Sequence, residues 1–185
     1  MSDSINDLID IVIKLRSDNG CDWDKKQTSE SLTPHLIEEA NEVVDAILEN
    51  NTTNLKEELG DLLLHIVFQT VIASEKKLFD FDEIVEQINK KLVNRHPHIF
   101  DKDYNGEDPS KIKNWELNKK SEKNRDSILD GMPKSLSSLI IAQRYQDKTG
   151  AVGFEWENHS QAMAKVDEEL SELKNAIKND DKKNI

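Results

Sequence analysis

The sequence predicts an all-α protein, an antiparallel helical bundle, on three observations. Apolar residues recur at three- and four-residue intervals along most of the chain, and no stretch shows the strict alternation of a half-buried strand. Chain breakers are few, with 6 Gly and 4 Pro in 185 residues. Charged residues make up 34% and apolar residues 36%, which suits long amphipathic helices better than a turn-rich sheet.

The elements follow in order. Ile5, Leu8, Ile9, Val12 and Leu15 predict a helix over 4–17, stopped by Asp18-Asn19-Gly20. Residues 18–27, with Cys21, Trp23 and Gln27, read as a loop. A second helix starts between Thr28 and Pro34 and runs to about Glu49, with Leu36, Ala40, Val43, Val44, Ile47 and Leu48 as its apolar stripe. After the polar turn at 50–53, Asn54 and Glu57 are spaced as a capping pair for a third helix, which is apolar on nearly every side from Leu62 to Ile72 and is therefore expected to be central and buried. Asp80 is placed to cap a fourth helix bearing Ile84, Val85, Ile88 and Leu92, ending at Lys90, Lys91 and Arg95 before the breaker His96-Pro97. A loop over 97–107 leads to a fifth, polar helix from Asp108-Pro109 through Trp115 to about Lys123. A connector at 124–134, helices over about 135–149 and 159–178 and a polar, frayed tail complete the chain.

Charge and composition narrow the chemistry. A net charge of -12 leaves no broad basic surface for a phosphate backbone, which argues against direct nucleic-acid binding. Any chemistry on nucleotides would need a divalent cation between two sets of negative charge. Cys21 is the only cysteine, so a disulfide or a cysteine zinc cluster within one chain is excluded. The acidic start, Met1-Ser2-Asp3-Ser4, is unlike a signal peptide, and no apolar run is long enough to span a bilayer; a cytoplasmic location without membrane contact is the expectation.

The informative residues are Glu38, Glu39, Glu42, Glu58 and Asp61. Glu38 and Glu42 share one helix face, and Glu58 and Asp61 share another. The short turn between the helices makes them antiparallel neighbours, so the carboxylates can meet in a small volume, where they repel unless protonated or bridged by cations. Oxygen donors alone suit magnesium, or manganese, better than zinc. Glu38 and Glu42 lie opposite the apolar stripe, so they fit an ordinary solvated face as well as a ligand pair. Asp61, ringed by Leu62, Leu63, Leu64, Ile66, Val67 and Phe68, needs a metal, a base or another polar partner. His65, four residues on, fits a supporting or core position better than a ligand. There is no HExxH pattern, no Glu-x-x-His pair and no phosphate-cradling glycine loop.

Several segments together resemble the MazG family of all-α nucleoside triphosphate pyrophosphohydrolases. Glu38-Glu39-Ala40-Asn41-Glu42, then fifteen intervening residues, then Glu58-Leu59-Gly60-Asp61, matches its EExxE…ExxD signature. Cys21-Asp22-Trp23-Asp24 through Gln27-Thr28 resembles its CPWD…QT opening, with Asp22 in place of the usual proline, and Arg95-His96-Pro97-His98-Ile99-Phe100 also looks like a family segment. Trp115-Glu116 stands where the family has a tryptophan before a lysine-rich stretch, and the resemblance covers about residues 5–178.

The resemblance implies a dimeric bundle of the all-α NTP pyrophosphatase type. It further implies magnesium-dependent cleavage of nucleoside triphosphates between the α- and β-phosphates, giving monophosphate and pyrophosphate. Glu39, Glu42, Glu58 and Asp61 would then be metal ligands, with Glu38 a ligand or the water-orienting base. Lys91 and Arg95 match basic phosphate-binding positions, although they also suit a helix C-terminus, and Lys119 is a weaker phosphate candidate. Trp23 and Trp115 are candidates to stack on a base, or are core or interface aromatics.

The domain reading is a MazG-like domain at 1–124, a connector and helix start at 125–141, and an incomplete second MazG-like opening at 142–185. In that last part, Gly153-Phe154-Glu155-Trp156 and Glu168-Glu169-Leu170-Ser171-Glu172 repeat the first halves of the motifs, and no ExxD follows. This missing half keeps open a second function, a silent nucleotide-binding or interaction module. A purely structural helical dimer is the third.

Overall fold

The structure, a computed structural model, describes residues 4–106 and 120–181. Among these the chain is helical, with no strand, in agreement with the all-α expectation. Eight helices are α1 (Ser4–Arg16), α2 (Asp22–Lys26), α3 (Thr33–Leu48), α4 (Thr52–Glu75), α5 (Phe81–Arg95), α6 (Pro97–Phe100), α7 (Ser138–Ala151) and α8 (His159–Lys178). Residues 120–122 are also helical, and the rest of the expected fifth helix, with Trp115 and Lys119, lies outside the described residues. Two compact units divide the chain, residues 1–92 and 93–185.

The first unit is organised around α4, which packs against both α1 and α3. Its second half carries the core: Val67, Phe68, Val71 and Ile72 are buried together with Val12 of α1 and Leu32. Ile5, Leu8, Ile9, Leu64 and Phe81 pack around that cluster. The periodic residues of α1 thus do bury a face, as their spacing requires. Leu32, ahead of the expected stripe of α3, is a core residue, and Gln69 Nε2 donates to the Ser29 carbonyl at 3.2 Å to hold the entry to α3 on α4.

Several local expectations change. The segment 18–27 contains the short helix α2, and 97–107 begins with the short helix α6 after Pro97. The cap of α4 is Asn51, whose side chain accepts from the Asn54 backbone N–H, so the helix starts before the Asn54–Glu57 pair. Asp80 does cap α5, in a reciprocal box: Glu83 N–H donates to Asp80 and Asp80 N–H donates to Glu83.

The inward stripe of α3 is Leu36, Glu39 and Val43, half-buried, and Ala46, buried; Ala40, Val44, Ile47 and Leu48 are exposed. On α4, burial begins at Val67 rather than Leu62, and Leu59, Leu63 and Ile66 are exposed in a row. Val85, Ile88 and Leu92 of α5 are exposed as well. The sequence pattern counts apolar residues on a face, whereas one layer of helices covers only the sides that meet a neighbour.

The end of α1 is tied down by Arg16. Its guanidinium donates to both carboxylate oxygens of Glu75, at 2.7 and 2.8 Å, and to the carbonyls of Asp24 and Gln27. One side chain therefore joins α1, α2 and the C-terminal end of α4 in a bidentate geometry. Gly20 allows the turn between α1 and α2, because a Cβ there would meet the Leu15 carbonyl oxygen at 2.1 Å.

Removing Arg16 leaves the Gln27 carbonyl and the Glu75 carboxylate without its donation, and Asp24 O with only the Gln27 N–H, so Arg16→Ala lowers unfolding free energy by roughly 1–3 kcal/mol in urea titrations. Glu75→Gln costs less, about 1 kcal/mol or below, since Glu75 is partly exposed. The hydrogen bond from Arg16 holds the Glu75 carboxyl below its ordinary range. Its contribution is complete above the unfolded-state pKa and is lost as pH falls through the lowered one, so the wild-type advantage over Glu75→Gln disappears in acid.

Candidate metal centre

The first half of α4 faces α3 across the turn at 50–51, and the two helices bring acids together. One carboxylate oxygen each from Glu39, Glu58 and Asp61 lie within 4.8 Å of one another, the group among the described residues with metal-ligand spacing. Glu39 sits on the inward stripe of α3, so this acid is aimed at α4 by the same periodicity that aims Leu36 and Val43. Glu58 and Asp61 occupy one face of α4 a turn apart.

The electrostatics show a site short of positive charge. Burial, then the neighbouring charges of Glu42, Asp61 and Glu58, hold the Glu39 carboxyl above its ordinary range, and a hydrogen bond with Glu42 acts in the same direction. Burial and the charges of Glu42, Glu57 and Asp61 raise Glu58. Thus Glu42 stands beside the three-residue group without being part of it. Glu38 is not in that group: its carboxylate lies 3.6 Å from His35 Nδ1 on the exposed side of α3.

A row of rings leads into the acids. Trp23 meets His35 edge-on with centroids 6.4 Å apart, and His35 stacks on His65 at 6.3 Å and 18°. His65 Nε2 is 4.0 Å from Glu39, while its Nδ1 is buried without a hydrogen-bond partner. Burial, together with His35, holds His65 below the ordinary imidazole range, so it is a poor counter-ion for the acids. His65 therefore supports the site from the core side, and Trp23, 55% exposed, forms the open end of the row. The sequence reading missed His35; its position four residues before Glu39 was the available signal, since that spacing shares a helix face.

The remaining candidates fall elsewhere. Lys91 is half-buried on α5. Arg95, in the second unit, donates from Nε to Glu122 at 2.9 Å. Trp115 and Lys119 are outside the described residues.

Residues 27–100, which hold all the clustered acids, match the MazG nucleotide pyrophosphohydrolase domain. Over 173 residues the chain is 42% identical to the nucleoside triphosphate pyrophosphohydrolase/pyrophosphatase MazG of Thermotoga maritima, a match covering 92% of this chain and 66% of that protein. The chain belongs to the MazG family. An Escherichia coli K12 relative, a nucleoside triphosphate pyrophosphohydrolase, is 40% identical over 174 residues, 91% of this chain and 66% of its own. YabN of Bacillus subtilis, uncharacterized, is 43% identical over 139 residues, 74% of this chain and 28% of its length. This MazG-family chain thus spans 66% of the length of the first two relatives. No helix of the described residues is long and apolar enough to cross a membrane.

The donor set fits a hard divalent cation, because it offers oxygen only and its uncompensated repulsion is relieved by positive charge. In cation-free buffer the raised Glu39 and Glu58 carboxyls take up protons before the unfolded chain does, so stability rises as pH falls toward their range. Glu39→Gln flattens that dependence and is neutral or stabilising without cation. The same variant loses the rise in Tm that magnesium or manganese produces in the wild type, which differential scanning calorimetry measures.

Proposed function

We propose that this chain hydrolyses nucleoside triphosphates between the α- and β-phosphates, releasing nucleoside monophosphate and pyrophosphate, with magnesium or manganese held by Glu39, Glu42, Glu58 and Asp61. The convergence of three carboxylates between α3 and α4, inside the segment that matches the MazG domain, carries this reading. A bound divalent cation supplies charge neutralisation of the phosphates and a more acidic attacking water. Glu39 and Asp61 face one another from two packed helices, so their separation is set by the helix contact rather than by flexible loops.

Glu38 stays outside the ligand group, beside His35, and it is the candidate base that orients water. Trp23, at the exposed end of the ring row, is the candidate surface for the base. Lys91, Arg95, Trp115 and Lys119 are kept as the proposed nucleotide-binding residues. The site works in the cytoplasm as part of a homodimer. Leu59, Leu63 and Ile66 of α4, beside the acids, form the apolar stripe that a second copy covers.

Pyrophosphate release from a panel of ribo- and deoxyribonucleoside triphosphates, with and without magnesium, tests the activity. The expected result is magnesium-dependent product, reduced roughly a hundredfold or more by Asp61→Ala. Tight nucleotide binding with no product across the panel would move the assignment to the silent module. Sedimentation at micromolar concentration should give a dimer, and Leu63→Glu a monomer with helical content intact. A monomeric wild type would refute the stripe as an interface.

A further inference from the structure

Among the described residues, the buried side-chain polar atom left without a hydrogen-bond partner is Nδ1 of His65. The ring lies one turn after Asp61 on α4, with its side chain 12% exposed. His35 stacks on one side of it, at 6.3 Å and 18°. Its other nitrogen, Nε2, stands 4.0 Å from a carboxylate oxygen of Glu39. The stack fixes the plane of the ring, with Nδ1 turned inward and Nε2 toward the acids.

This placement decides where the proton sits. A neutral imidazole carries one N–H and one lone pair. With the proton on Nδ1, the ring would bury a donor that has nothing to donate to, and would turn a lone pair toward the negative oxygens of Glu39. The doubly protonated ring shares the first of these faults. With the proton on Nε2, the N–H faces the carboxylate and the interior receives only the lone pair, the more tolerable of the two unpaired groups.

We propose that His65 is a positioning residue of the acid centre: its Nε2–H, set by the lack of an acceptor at Nδ1, donates to Glu39 and orients that carboxylate on a bound cation, while His65 itself stays out of the ligand set. This rests on the reading of Glu39 as a metal ligand. A separation of 4.0 Å is too long for a hydrogen bond. Rotation about the last side-chain torsion of Glu39, which is broad in glutamate, can close it without moving either helix. A carboxylate has lone pairs enough for both a donor and a metal. The donor matters because Glu39 is the α3 member of the three-residue group; with it turned away, that group offers oxygens from α4 alone.

The test uses the full chain labelled with nitrogen-15. Long-range proton–nitrogen NMR correlations give the tautomer, with the His65 ring assigned through its connectivity to the backbone. A protonated Nε2 and a bare Nδ1 are expected, in cation-free buffer and after magnesium is added. A proton on Nδ1 overturns the proposal. So does an Nε2 that gives up its proton as magnesium enters, which makes His65 a ligand. Calorimetric titration with magnesium is the second measurement. His65→Phe keeps a ring for the stack without a donor and should weaken magnesium binding about tenfold. His65→Gln, whose amide can donate, should recover most of that loss; Tm in cation-free buffer verifies that both variants fold. Equal weakening in the two variants assigns His65 to packing and overturns the proposal. Equal affinity in the wild type and His65→Phe also overturns it, and leaves Glu39 as a ligand untouched. A wild type that takes up no magnesium ends the metal reading and the proposal together.

Discussion

The packing of α4 between α1 and α3 is the constraint on which the first unit depends. Its second half buries Val67, Phe68, Val71 and Ile72 against Val12 and Leu32, and this apolar cluster fixes the helix in rotation and register. With the rotation fixed, the first half of the same helix has no choice about where its acids point. Helices transmit orientation along their length, so a core at one end sets a site at the other. The favourable burial also opposes the repulsion among Glu39, Glu58 and Asp61, which the carboxylates alone do not overcome.

Charge is handled differently at the two ends of α4. At the C-terminal end Glu75 is matched by Arg16, whose remaining donors reach backbone carbonyls. Near the N-terminal end Glu39, Glu58 and Asp61 face one another, and the adjacent ring, His65, is held toward its neutral form by burial. The clustered acids, unlike Glu75, have an oxygen-only arrangement that fits a divalent cation. Acids that serve only solubility are dispersed over a surface, where water screens them.

The spacing of residues on α3 recurs on α8 in the second unit. The relation is of face, not only of composition: Leu36, Glu39, Val43 and Ala46 share a side of α3, and Val166, Glu169, Leu173 and Ala176 have the same spacing on α8. The family relatives from Thermotoga maritima and Escherichia coli are longer than this chain, which spans 66% of each. In the first unit the acids of α3 and α4 converge; on α8 Val166 and Leu173 are exposed.

The sequence alone was sufficient for the helical class, for the extents of α1, α3 and α8 to within a few residues, and for the acids on α3 and α4. Periodicity and capping are local, and the motif residues are short-range neighbours on one helix or joined by a short turn. Tertiary structure decided what periodicity leaves open. It put Glu39 rather than Glu38 into the acid group, because α3 turns Leu36, Val43 and Ala46 toward α4 and leaves Val44, Ile47 and Leu48 outside. It also brought Trp23, His35 and His65 from three elements into one row. A helix apolar on several sides does not specify which side meets which neighbour. That choice is made by the total area the packed arrangement buries, a property of the whole unit and not of any segment.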